Sequence, residues 1–361
     1  MTRASSTARA APAGDVAAPA SPERSRRPTI NDVARLAGVS KKTVSRIINE
    51  SPAVSDGTRA RVDAVIAELG YSPDPHARGL AFRRAFTLGF IYNNPNPQYV
   101  VNAQQGILDA AQGAGFELMV RPCDRGDPDF LSDMRTFVER QKFAGVVMLS
   151  SVSEDERLAA LLAELDTPYV RVASVALDRP DAMLVSHDGE GGFAAAEHLA
   201  ALGHRRIGLI TGPSSFRSAH ERRRGFEAGL DAHGLRLRPG DVQEGEYTFE
   251  SGVACARRLL GAAHRPTAVF ALNDEMAAGV YRAAHELGLR IPEDVSVVGF
   301  DDAPIATRLW PPLTTVILPI REMGRLAAER LIGAALGRKP GPWPRITPRL
   351  IVRESTAAPP G

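Results

Sequence analysis

The sequence predicts a multi-domain chain: an all-α helical headpiece followed by an α/β body with room for two lobes. Three observations carry this expectation. The 361 residues exceed the ~100–200 usual for one domain. Residues 28–70 show only helical periodicity. From Phe86 onward, short and continuously apolar runs alternate with amphipathic helical stretches, the pattern of strands covered on both faces of a parallel sheet. Hydrophobic residues make up 44% and charged residues 24% of the chain, ordinary globular composition that can bury a core without disulfide or metal staples.

Taken in order, residues 1–27 are rich in Ala, Pro, Ser and Arg and predict a disordered tail. Their apolar residues are nearly all Ala, broken by Pro and charge, so no secretory signal is read there. Three short helices follow. Asn31 is placed to cap "DVARLAG", which Gly38 ends; Ser40 to cap "KKTVSRIIN"; and Ser55 to cap "DGTRARVDAVIAELG", closed by Gly70. Val33, Leu36, Val39, Val44, Ile47, Ile48, Val62, Val65, Ile66 and Leu69 recur at helical spacing and supply one small core. The "AGVS" between the first two helices has the length and glycine content of a helix-turn-helix. Pro73 and Pro75 stop the third helix, and "YSPDPHARGLAFRRA" reads as a linker with a short helical stretch after Pro75.

In the body, "FTLGFIY", "FELMV", "GVVMLS", "PYVRVA", "RIGLIT", "TAVFAL" and "VSVVGF" are expected as strands. Helices are expected over "QYVVNAQQGILDAAQGAG", "GGFAAAEHLAALGH", "ERRRGFEAGLDAHG", "SGVACARRLLGAA" and "EMAAGVYRAAHELG". The alternation predicts a doubly wound sheet, with ligands expected at the carboxyl ends of its strands.

Composition narrows the chemistry. Cys123 and Cys255 are far apart and form no CxxC pattern, so neither a disulfide framework nor a metal site is expected, and a reducing cytoplasm fits. No run reaches the ~18 apolar residues of a membrane span. Phosphate-loop (GxxxxGKS/T), GxSxG, HExxH and strand-associated GxGxxG motifs are missing and the eight histidines are scattered, so no catalytic residues are assigned. Net charge is only +2, yet residues 1–84 hold 14 Lys+Arg against 8 Asp+Glu, leaving 30 against 34 for the rest. A basic N-terminal piece on a slightly acidic body is the asymmetry of a chain that meets a polyanion at one end.

The second helix sharpens that reading. With Val44, Ile47 and Ile48 turned to the core, Lys41, Lys42, Ser45, Arg46 and Asn49 lie on or beside the outer surface, two lysines in the first turn. Cations at a helix N-terminus oppose the macrodipole at ~0.3–1 kcal/mol each. A phosphate or base partner accounts for their placement better than solvent does. Arg46 is suited to bidentate bonding of guanine, worth roughly 1–3 kcal/mol of discrimination.

Residues 29–81, "TINDVARLAGVSKKTVSRIINESPAVSDGTRARVDAVIAELGYSPDPHARGLA", resemble the N-terminal domain of the LacI/GalR family of transcriptional repressors almost position by position. The resemblance implies that Lys41, Lys42 and Arg46 read the major groove, and that Ser40, Thr43, Ser45, Asn49 and Tyr71 contact or position the DNA. It also implies a hinge helix that folds on operator DNA, with Leu80 wedged into the minor groove and Ala77 packing beside it.

The likeness continues through "GHRRIGLITGP", "RPTAVFALNDEMAAGVYRAAHELGLRIPEDVSVVGFDD", "PPLTTV" and "PRLIVREST" to about residue 357. It implies a two-lobed body like the type I periplasmic binding proteins, with three crossovers and a ligand cleft between the lobes. The divisions expected are a tail over 1–27, a helix-turn-helix domain over 28–72, and a hinge and linker over 73–85. One lobe is expected from 86–203 with 318–338, the other from 204–317 with 339–357. By the same resemblance Arg222 bonds effector oxygens, Asp301 is an acidic partner in the effector site, and Tyr247 offers an aromatic face; Asn273 rather than its neighbour is the expected ligand contact, with Tyr99 and Ser218 as weaker candidates. Asp274 is a candidate helix cap instead.

The chain departs from the family in two places. It has "SHDGEGG" where many members have "DN" before a "GG" helix start, leaving Asp188 or His187 as the acid. It has "NPNPQYV", ending at Val100, where many have "NPFF". The expected function is a homodimeric regulator, a repressor of carbohydrate-utilisation genes, bound to a pseudopalindromic double-stranded operator. It is expected to use no cofactor beyond a small effector, a sugar. Two other classes fit less well: an exported sugar-binding protein, disfavoured by the headpiece and the tail, and a sugar or nucleotide enzyme, disfavoured by the missing motifs. "TAAPPG" closes the sequence without a heptad run, so a tetramerising tail is not expected.

Overall fold

The computed structural model describes residues 28–48, 54–71 and 85–360. The tail over 1–27, Asn49, Ala77, Leu80 and most of the linker lie outside the described residues. The chain divides into two compact units, Met1–Asp74 and Pro75–Gly361.

The first unit holds α1 (Ile30–Leu36), α2 (Lys41–Ile48) and α3 (Asp56–Leu69). Val33, Ala34, Ala37, Val44, Ile47 and Val62 form its core, with Val39, Ile48, Val65, Ile66, Leu69 and Tyr71 packed around them. Leu36, expected in that core, is instead half exposed at 49%. The cap of α1 is Thr29 rather than Asn31: Thr29 Oγ1 and its backbone N–H both reach Asp32, closing a capping box two residues earlier. Gly38 and Gly70 take left-handed backbone (φ +63° and +59°) after α1 and α3, as their lack of a side chain permits. Ser40 Oγ accepts from the Thr43 amide (3.1 Å), capping α2. Ser55 sits at the N-cap of α3, but its hydroxyl pairs with that of Thr58 (3.0 Å).

The second unit contains two sheets. One runs β2-β1-β3-β4-β5, built from β1 (Thr87–Asn93), β2 (Glu117–Pro122), β3 (Gly145–Ser150), β4 (Tyr169–Ala173) and β5 (Met183–Val185). Every pair in it is parallel. The other runs β11-β10-β9-β8-β6-β7 from β6 (Ile207–Thr211), β7 (Val242–Glu244), β8 (Ala268–Ala271), β9 (Ser296–Phe300), β10 (Thr314–Ile317) and β11 (Arg349–Ile351). Only β11 is antiparallel to its neighbour. Helices α4 (Pro97–Ala114), α5 (Phe130–Gln141), α6 (Glu156–Glu164) and α11 (Ile320–Ala335) belong to the first sheet. Helices α7 (Asp188–Ala201), α8 (Arg217–Ala232), α9 (Phe249–Leu260) and α10 (Asp274–Glu286) belong to the second.

The chain therefore passes between lobes three times: at residues 186–188, after β10, and between α11 and β11. The first passage corrects the expected lobe boundary at residue 203, because α7 packs on α8, β10 and β11 of the second lobe. Two glycines bring it there. A Cβ on Gly191 would lie 2.7 Å from the Phe300 ring, and one on Gly192 would lie 2.1 Å from the Arg222 carbonyl oxygen. Within the first lobe, Gly106 and Gly324 bring α4 and α11 into equally close contact.

Candidate functional site

Along α2, Val44 and Ile47 face inward while Lys41, Lys42 and Arg46 are exposed and Thr43 and Ser45 half-buried. The exposed face thus carries three cations and the hydroxyls that flank them. Tyr71 packs at the edge of the headpiece core.

The second site lies between the lobes at the carboxyl ends of the strands, where parallel α/β sheets place ligands. It is a narrow cavity of about 40 Å³. All seven effector candidates, Tyr99, Asp188, Ser218, Arg222, Tyr247, Asn273 and Asp301, line it. Asp188 faces the cleft, whereas the His187 ring lies beside Glu190 on another face.

Arg222 organises the floor. Reaching in from α8, it is 4% exposed, and its Nε donates to Asp188 Oδ1 (2.7 Å) and its Nη1 to the carbonyl of Leu272 (2.6 Å). Nη1 also lies 3.5 Å from Asp301 Oδ1. The Phe300 ring lies under the guanidinium, 3.7 Å from centroid to carbon, a desolvated cation–π contact. A guanidinium fixed in this way presents one fixed pattern of charge to a ligand.

Asp301 is buried, which pushes its carboxyl up to about 7; Arg222 counters that shift and Asp188 adds to it. Its backbone is in an unfavoured region (φ +106°), as are those of Asp302 and Tyr247 (+53° and +62°). Such outliers persist where surrounding structure holds them. Here the clamp is Asp274, whose two oxygens accept from the Ala303 amide (2.7 Å) and the Thr315 hydroxyl (2.5 Å). Asp274 therefore does not cap α10. Asn273 does, accepting from the Met276 amide (2.9 Å) while its Nδ2 donates to the Tyr247 carbonyl (2.9 Å). Asn273 is both cap and cleft residue, because one amide has a donor and an acceptor to spend.

Tyr247 stands edge-on to Phe216 (centroids 5.5 Å, 84°). Burial pushes its phenol up to about 12. Burial likewise pushes up the phenol of Tyr99, so both rings present neutral hydroxyls. Gly212 makes room for Tyr247: a Cβ there would lie 2.1 Å from the ring.

Several cleft residues escaped the sequence reading: Asn94, Asn96, Glu154, Ser174, Ser186 and Phe216. Each follows a strand, and that position is the signal that could have found them. Asn96 caps α4 and its Nδ2 reaches across the lobes to Asp301 Oδ2 (3.3 Å). Glu154, raised to about 7 by burial, accepts from the Arg217 amide of the opposite lobe (3.3 Å). Ser174 Oγ is buried without a hydrogen-bond partner, a polar group left for a ligand to satisfy. Among the described residues, no cluster of His, Cys, Asp or Glu is arranged to hold a metal ion.

The sequence matches two family models: bacterial regulatory proteins of the lacI family over residues 29–74, and a periplasmic binding protein-like domain over residues 196–356. The transcriptional regulator CelR of Thermobifida fusca is 36% identical over 345 residues, covering 92% of this chain and 99% of that protein. A solved CelR–cellobiose complex superposes with a TM-score of 0.67 at 33% identity, covering 91% of this chain and 100% of that one. A lac repressor dimer bound to operator and an anti-inducer gives a TM-score of 0.74 at 30% identity, covering 92% and 100%. An exposed cationic helix of a helix-turn-helix unit and a two-lobed body closing on a polar cleft thus occur together in a chain that aligns with such regulators over nearly their whole length: the protein belongs to the lacI family of bacterial regulatory proteins.

Proposed function

We propose that the protein is a homodimeric transcriptional repressor that binds a pseudopalindromic operator and whose operator affinity is set by a neutral sugar held between the lobes. The observation that carries the effector half is the buried Arg222, held by Asp188 and close to Asp301, on the floor of the inter-lobe cavity. Three carboxyls (Glu154, Asp188, Asp301) face one arginine there, an arrangement that disfavours anionic ligands. Asn, Ser and Tyr groups supply paired donors and acceptors for hydroxyls, and Tyr247 and Phe216 supply apolar ring faces.

Lys41, Lys42 and Arg46 enter the major groove with Ser40, Thr43, Ser45, Asn49 and Tyr71 positioning the backbone, and Leu80 with Ala77 forms the minor-groove wedge. Effector and operator each favour one relative orientation of the lobes, so each changes the other's affinity by the same factor. The protein acts by binding and not by turnover, as the regulators it aligns with do, and it uses no metal or organic cofactor. It works in the cytoplasm, where its operator is; among the described residues no helix is long and apolar enough to cross a membrane.

Fluorescence anisotropy on operator-like duplexes tests this. Specific binding is expected to weaken as a sugar is titrated. Arg46→Ala is expected to cost roughly 1–3 kcal/mol on the matched site and little on random duplex. Equal affinity for matched and random duplex in the wild type, with and without sugars, overturns the reading.

A further inference from the structure

The inner cavity is not the end of the cleft. A second chamber, about 640 Å³ and open to solvent, shares Glu154 and Phe216 with it, so these two residues form a waist between an inner and an outer compartment. Both lobes build the outer one. Asn93, Asp124 and Arg125 come from the first lobe and Ser215 from the second.

We propose that the effector is a neutral oligosaccharide of at least two rings, the first in the Arg222 cavity and the next in the outer chamber, with Glu154 accepting a hydroxyl at the junction. This rests on the sugar reading given above and names the length of that sugar. The outer chamber suits an uncharged polar ring because three of its six charged side chains are already paired and the rest are of both signs. Arg157 grips Asp155 through Nε and Nη2 (3.1 and 2.7 Å), and Glu156 accepts from Arg171, a fully buried arginine, at 2.8 Å. The turn that carries Glu154 (Ser151–Glu154) is rigidly held. Arg125 Nη1 donates to the Ser151 carbonyl (2.6 Å), and Arg171 Nε to that of Ser153 (2.6 Å). Glu154 also touches the opposite lobe through the Arg217 amide, so a ring seated against it bears on both lobes. Phe216, its ring nearly perpendicular to that of Tyr247, gives the waist an apolar wall on which the C–H face of a pyranose can rest.

The test is calorimetric titration of the full chain with matched series: glucose, cellobiose and cellotriose; glucose, maltose and maltotriose; galactose and lactose; xylose and xylobiose. In the tightest-binding series, the two-ring member is expected to bind at least tenfold more tightly than its one-ring unit. Ser215→Trp fills the outer chamber from an exposed position and is expected to erase that ratio; Glu154→Ala is expected to reduce it. A monosaccharide that binds as tightly as its disaccharide, or a ratio that survives Ser215→Trp, overturns the two-compartment assignment alone. If no sugar of any length binds, both this assignment and the sugar reading fall.

Discussion

Arg222 shows how one side chain ties stability to recognition. It is buried with Asp188 at 2.7 Å and Asp301 at 3.5 Å. Removing one partner of such a group strands the others, a loss of roughly 3–5 kcal/mol. Arg222→Ala is therefore expected to lower the melting temperature of the body and to abolish the effector response, read by thermal denaturation and by operator binding with and without sugar. A variant that melts like the wild type contradicts the buried network. Asp301 gives a pH test. Its carboxyl titrates near 7 in the folded chain, well above the unfolded value, so the folded state holds the extra proton between about pH 4 and 7. Its contribution to stability falls as pH rises through that window. The stability of Asp301→Asn relative to wild type is expected to improve from pH 4.5 to 7.5 in denaturant melts; a constant or shrinking difference excludes the shift. At this scale the sequence was readable where a motif carried the residue, as at Arg222 and Asp301. It was ambiguous where neighbours shared chemistry: His187 against Asp188, and Asn273 against Asp274, were decided only by which side chain the turn directs into the cleft.

Elements were legible in proportion to their length and apolar content. Continuous runs such as "GVVMLS" and "VSVVGF" became β3 and β9. Three-residue strands β5 and β7 have too few positions for any periodicity, and α5, α6 and α11 went unremarked although their buried faces follow helical spacing. The lobe boundary was misplaced for a related reason: the strand–helix alternation is the same on both sides of residue 186, and only the contact through Gly191 and Gly192 shows which lobe α7 joins. The turn after β6 carries its own prediction. Gly212→Ala would press a methyl group into the Tyr247 ring. It is expected to weaken sugar binding at least tenfold while operator binding stays near wild type, by calorimetry and anisotropy on one preparation. Unchanged sugar affinity means that Tyr247 does not contact the ligand.

At the scale of the molecule, the two units differ greatly in the cores they bury. Six buried apolar side chains hold the headpiece, a size at which a domain is marginally stable. Calorimetry of the free protein is expected to show two transitions, the headpiece melting first. Saturating sugar raises only the later one, by about 2.7 kcal/mol of stabilisation at 100 times its dissociation constant. A single transition that shifts as a whole contradicts the independence of the units.

The three passages between the lobes also constrain how such a chain can be recombined. The headpiece is contiguous and its boundary falls at one place, between Asp74 and Pro75, so a chimera carrying a foreign reading head needs a single splice. Neither lobe is contiguous, because α11 returns to the first lobe and β11 to the second. Grafting one lobe onto a relative would demand three simultaneous junctions, so new sensing specificities should arise by point changes along the cleft and new DNA addresses by wholesale exchange of the head.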